Sequence, residues 1–140
     1  MSPPRSDKVV EFFATCDLAV VSYLSPEGTP QSAVVAAAMT PELEIVFDTV
    51  ASSRKYRNLK ARPQCSIVVW KGEVTVQYEG EAEELEGEAL AKYKPIYFQK
   101  FTDGPARERW AGITYFVVRP KWVRYCDYNL GSQRIEEQRS

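Results

Sequence analysis

With 140 residues, 44% of them hydrophobic and 26% charged, the chain is sized for one domain with a real core. A formal net charge of −1 gives no global pull toward nucleic acid or an anionic membrane, so any anion binding has to be local. The chain has no histidine, which excludes Ser-His or Cys-His nucleophile pairs, His-ligated zinc and imidazole acid–base catalysis. Any enzyme chemistry is therefore expected from a bound cofactor.

Met1 to Lys8 carries proline and charge rather than the apolar core of a signal peptide. No apolar run approaches the roughly 20 residues that span a bilayer, so a cytoplasmic protein is expected. Asp7 to Cys16 reads as an amphipathic helix through Val9, Val10, Phe12, Phe13 and Cys16. Leu18 to Leu24 and Gln31 to Met39 read as a hairpin around the turn Ser25-Pro26-Glu27-Gly28. The second strand contains Ala33-Val34-Val35-Ala36-Ala37-Ala38. Its small side chains leave room for something flat against the backbone, or simply suit a crowded barrel interior. After Thr40-Pro41-Glu42, Leu43 to Asp48 reads as a third strand.

The next segment carries the chemistry. Asp48-Thr49-Val50-Ala51-Ser52-Ser53-Arg54-Lys55-Tyr56-Arg57-Asn58-Leu59 leaves that strand and opens a short helix that ends before Pro63. Ser52 or Ser53 suits the N-cap. Arg54, Lys55 and Arg57 then stand at the positive end of the helix dipole, where carboxylates are preferred. An anion held by N–H groups, hydroxyls and cations together resolves the conflict, and a phosphate is the natural one. The plainer alternative is a solvated basic helix that tolerates roughly 0.3–1 kcal/mol per misplaced charge.

Cys65 to Trp70 reads as a fourth strand, and a turn at Lys71-Gly72 leads into a fifth. There Val74, Val76 and Tyr78 alternate with Thr75, Gln77 and Glu79, and Glu79, Glu81 and Glu83 share a face best read as solvated. Glu86 to Phe101 suits a helix with Leu90, Tyr93 and Tyr97 on one stripe and a kink or break at Pro95. Ile113 to Val118 forms a sixth strand, continued or restarted by Trp122 to Tyr125. The polar tail after Tyr128 is expected to be loosely ordered. Cys16, Cys65 and Cys126 are far apart and read as buried small hydrophobes. Six or more short strands with three helices suggest a mainly β fold, a small antiparallel barrel with helical covers.

On the segment from Asp48 to Pro63, the order of elements around it, and the closing segment from Val118 to Asn129, the chain resembles the pyridoxamine 5′-phosphate oxidase-like family of FMN-binding split β-barrels. The resemblance runs from about Lys8 to Asn129 and implies one domain, a six- to seven-stranded antiparallel split barrel with short covering helices. It also implies a homodimer with FMN in two grooves between subunits, and flavin-dependent hydride transfer. Carried over by position, Arg54 and Lys55 pair with the FMN phosphate, aided by Ser53, Thr49 and the adjoining Asp48. The backbone of Ala33, Val34, Val35, Ala36, Ala37 and Ala38 lines the ring and ribityl chain, and Thr75 approaches from the partner subunit.

The departures bear on substrate. The Arg-Leu-His-Asp-Arg pattern of the true oxidase is absent, because Arg124-Tyr125-Cys126-Asp127 does not reproduce it. An arginine and a lysine that the resemblance places on the second strand are Ala33 and Ala38 here. Flavin binding is thus expected without oxidation of pyridoxamine phosphate. The deazaflavin F420 is the alternative cofactor, and a non-catalytic flavin-binding or stress-associated protein is the alternative role. A plain structural barrel without a cofactor is the remaining alternative. The aromatic segment from Tyr93 to Trp110 reads as packing or as a substrate lid, and Trp122 as core.

Overall fold

The computed structural model describes residues 6–130 and 135–139. In chain order the elements are α1 (Ser6–Ala14), β1 (Leu18–Leu24), β2 (Pro30–Met39), β3 (Ile45–Val50) and α2 (Arg54–Ala61). They continue with β4 (Gln64–Lys71), β5 (Val74–Glu84), α3 (Gly87–Lys100), α4 (Gly104–Arg107), β6 (Ile113–Asp127), a 3-10 turn (Tyr128–Leu130) and β7 (Ile135–Arg139).

The strands run in the order β3-β2-β1-β4-β5-β6, each antiparallel to its neighbour, and pairing of β3 with β6 closes a six-stranded barrel. Period-two patterning sets which side is which. Ala19, Val21 and Tyr23 of β1 are buried while Leu18, Val20 and Ser22 face outward. The β1–β2 turn closes through Gly28, whose φ of +79° suits glycine, with its N–H donating to the Ser25 carbonyl at 2.9 Å.

Strand β6 is shared. Ile113 to Val118 pairs with β3, and Trp122 to Cys126 pairs with β7, which lies outside the closed barrel. Pro120 falls between these two partners, where its missing N–H forfeits no ladder bond on that edge. Opposite it, a Cβ on Gly80 would sit 2.4 Å from the Arg119 carbonyl oxygen, so β5 and β6 approach this closely only at a glycine.

Two apolar clusters result. The barrel interior holds Phe13, Val21, Phe47, Leu59, Tyr78 and Phe116, with the Phe47 and Phe116 rings stacked at 5.6 Å. The second lies outside the barrel wall, where Tyr93 and Tyr97 of α3 pack on Ala38, Val46, Tyr115 and Val117. Cys16, Cys65 and Cys126 are buried and unbridged, and Glu79, Glu81 and Glu83 are exposed, as expected.

The structure differs from the sequence reading in five places. The segment from Thr102 to Pro105, which reads as a loop in the sequence, runs into the short helix α4 at Gly104. Strand β3 starts at Ile45, because Leu43 takes φ +66° in the preceding turn, with its side chain buried. Helix α3 passes through Pro95 uninterrupted, since burial of Tyr93 and Tyr97 on either side outweighs one lost backbone bond. Part of the tail is ordered as β7, an edge strand held by backbone pairing, by Lys8 Nζ to Glu136 at 2.8 Å and by Arg124 to Glu137 at 3.0 Å. The rest of that tail, residues 131–134 and 140, lies outside the described residues. Trp122 is half-buried on the outer wall and not in the core.

Candidate anion and cofactor site

Strand β3 hands the chain to α2 through a turn that its backbone fixes. Ala51 N–H donates to the Gly112 carbonyl at 2.7 Å and Ser53 N–H to the Val50 carbonyl at 3.0 Å. Ser53 is the N-cap: it is extended, and its Oγ accepts the Tyr56 N–H at 3.1 Å. Thr49 Oγ1 lies 3.2 Å from the same Oγ. The first-turn N–H groups ahead of Tyr56 have no intrahelical acceptor, so they face the space beyond the cap.

Three features orient α2. Leu59 is buried in the barrel interior. Asn58 donates to Gln31 at 3.0 Å and accepts from Arg62 at 3.0 Å, while Arg62 Nε donates to the Leu24 carbonyl at 3.1 Å. On the other side, Glu84 of β5 accepts from Tyr56 Oη at 2.8 Å and pairs with Lys60 at 3.0 Å. Asn58 is therefore a strut, and the helix start is a fixed platform.

The three cations then separate. Arg57 turns back onto the Ser52 carbonyl at 2.9 Å. Arg54 is exposed and has no hydrogen bond or ion pair among the described residues. Lys55 is half-buried without an ion pair among the described residues, and burial lowers its pKa from 10.5 while Asp48 pulls it partly back. Partial desolvation of a cation without a close partner is costly, and an anion at the cap offsets that cost.

Asp48 does not itself point a free carboxylate at this platform. Arg107 Nε donates to its Oδ2 at 3.1 Å, while the same guanidinium donates to Asp103 at 2.7 Å and to Tyr97 Oη at 3.1 Å. Burial, then the Asp48 charge, holds the Tyr97 phenol above its usual range, and burial pushes Tyr115 up to about 12, so both stay protonated at neutral pH. Sequence reasoning missed Arg107. It lies 59 positions from Asp48, and the only signal was the helix start at Asp103-Gly104-Pro105.

Of the other expected site residues, Ala33, Val35 and Ala37 face the barrel interior. Ala38 lies under α3, and Val34 and Ala36 leave an open outer wall, Val34 being 62% exposed. The Ala37 carbonyl accepts from Lys100 Nζ, as do those of Phe13 and Cys16. Thr75 is not brought to the others within the chain. It stands nine residues along β5 from Glu84, the α2 anchor, or roughly 30 Å. Its Oγ1 is buried without a partner among the described residues.

A closed six-stranded antiparallel barrel with a capped basic helix at its rim defines a split-barrel architecture. The family description for pyridoxamine 5′-phosphate oxidase matches residues 6–127, and the chain belongs to that family. No curated protein matches it. Among solved structures it is similar to a heme binding protein from Mycobacterium smegmatis, at 20% identity and TM-score 0.82, covering 99% of this chain and 59% of that one. It is also similar to a conserved hypothetical protein from Mycobacterium tuberculosis, at 22% identity and TM-score 0.75, covering 89% and 86%. General Stress Protein 26 from Bacillus anthracis matches at 17% identity and TM-score 0.73, covering 96% and 98%. These likenesses are of fold. The chain spans about three-fifths of the heme binding protein's length.

Proposed function

We propose that this chain binds FMN, with the phosphate at the amino-terminal end of α2, and acts as a flavin-dependent oxidoreductase. The observation that carries the reading is the capped helix start where, among the described residues, Arg54 is unpaired and the half-buried Lys55 has no ion pair. Ser53, the open N–H groups and these cations fit a phosphate, and Val34 and Ala36 offer a flat wall beside it. When bound, the flavin ring supplies the acceptance or donation of a hydride. The protein holds the phosphate and orients the ring along β2. Covering by α3 and α4 keeps water from one side.

A homodimer completes this reading. On the outer wall Val34, Val20 and Val68 stand in one cross-strand row, beside Leu18 (60% exposed) and Trp70 (59% exposed). A second copy covering that patch would remove it from water and shelter Thr75, which pairs with Trp70 in register. Pyridoxamine phosphate is disfavoured as substrate by Ala33 and Ala38, which supply no cation.

Heme is the competing occupant, because a structural neighbour is named for binding it. Here there is no histidine to ligate its iron and the cysteines are buried, which favours flavin. The test is the visible spectrum of the purified protein, followed by titration with FMN, F420 and hemin and turnover with a reduced nicotinamide. Saturable FMN binding with nicotinamide oxidation supports the reading. FMN binding without turnover points to a non-catalytic flavin or stress-associated role, and selective F420 or hemin binding rejects it.

A further inference from the structure

Resting on the phosphate reading above, we infer that Arg107 is a positioning residue that sets the charge of the anion site by neutralising Asp48. Asp48 is the residue before Thr49, so a carboxylate sits one position from a hydroxyl of the phosphate platform. Its charge reaches the site, since it acts on Lys55. An uncompensated carboxylate there would do two harmful things. It would repel a phosphate, and it would draw Lys55 into an internal pair that the phosphate must break.

Arg107 prevents both. Its Nε takes Asp48 Oδ2 at 3.1 Å, with both side chains largely out of water at 16% and 14% exposure. The guanidinium is itself held from two further directions, by Asp103 at 2.7 Å and Tyr97 Oη at 3.1 Å, so it is fixed in place rather than free to swing. Although burial works against its charge, the bonds to Asp48 and Tyr97 raise its pKa. Because Arg107 ends α4 and Tyr97 lies on α3, the helical cover and the phosphate platform share this one clasp.

The test measures the affinity of the full chain for FMN and for riboflavin, which has the same ring and no phosphate, in native protein and four variants. Arg107→Gln lowers FMN affinity about tenfold, the scale of one unit charge several ångströms away near a surface, and leaves riboflavin affinity unchanged. Asp48→Asn keeps or raises FMN affinity. Asp48→Asn/Arg107→Gln returns the FMN-to-riboflavin ratio to near the native one, and Arg107→Lys retains most of it. A merely structural role moves both ligands together and is not rescued by Asp48→Asn. An unchanged ratio in Arg107→Gln, or a double variant as poor as the single, overturns the inference while leaving the phosphate site standing. A native protein that does not prefer FMN to riboflavin overturns the phosphate reading itself, and the inference with it. If Arg107→Gln alone fails to fold, the double variant is compared with Asp48→Asn: equal FMN-to-riboflavin ratios support the inference, and a ratio that still falls on loss of Arg107 overturns it.

Discussion

Thr49 Oγ1 and Ser53 Oγ lie 3.2 Å apart, so the end of β3 and the cap of α2 meet at a pair of hydroxyls. Each carries one proton, and only one proton can lie between them. Ser53 already accepts the Tyr56 N–H, so one hydroxyl proton of the pair is left to donate to an anion.

Capping and binding at Ser53 are therefore separable. Ser53→Ala loses the cap, about 1 kcal/mol of stability, and weakens FMN binding. Ser53→Asp keeps a capping oxygen and the melting temperature but places a negative charge against the phosphate. Thermal melts and FMN titrations of the two variants check this. Equal FMN affinity in native and Ser53→Asp protein would sink it.

Arg54 has the opposite signature. It stands at the positive end of the helix dipole with no partner among the described residues, so Arg54→Ala leaves stability unchanged or slightly raised while FMN affinity falls. A variant that melts earlier and binds FMN normally would assign Arg54 to structure.

Lys55 makes the site pH-dependent. Burial first, against the pull of Asp48, lowers its pKa below 10.5, so it loses its proton at a lower pH than an exposed lysine. FMN affinity falls as pH rises through that lowered pKa, and the fall is absent in Lys55→Arg, which stays charged. The sign for folding is reversed. Between the lowered pKa and 10.5 the unfolded chain holds more protons, so the ligand-free protein gains stability as pH rises there. Titrations and melts across the alkaline range, native against Lys55→Arg, read both slopes.

The barrel closure has its own test on β5. Tyr78 Oη is buried between the carbonyl oxygens of Leu43, at 2.7 Å, and Val118, at 3.0 Å. Tyr78→Phe removes the single hydroxyl proton that these two oxygens share and costs about 1–3 kcal/mol. Gly80→Ala drives a Cβ into the Arg119 carbonyl and costs a similar amount. Denaturant unfolding measures both, and neither changes the FMN-to-riboflavin preference.

The strands of the barrel were legible because their period-two patterns are strong, as in Val74, Val76 and Tyr78. The capped basic start of α2 was legible because capping chemistry is local to a dozen residues. What escaped is non-local. Leu43 adopts a left-handed conformation in its turn, where its carbonyl accepts the hydrogen bond from Tyr78, 35 positions away. Residues Ile135–Arg139 pair as a strand through backbone bonds that a polar composition does not announce. Arg107 reaches Asp48 only because α3 and α4 fold over the β3–β6 seam, and no spacing in the chain signals that meeting.

The central claim is that the start of α2 holds a flavin phosphate, and the most direct measurement is the ratio of FMN to riboflavin affinity in native protein and in Arg54→Ala/Lys55→Ala. The account predicts a clear native preference for FMN that collapses in the double variant, with riboflavin affinity unchanged. Equal affinity for the two ligands in native protein, or an FMN preference that survives loss of both cations, would contradict it.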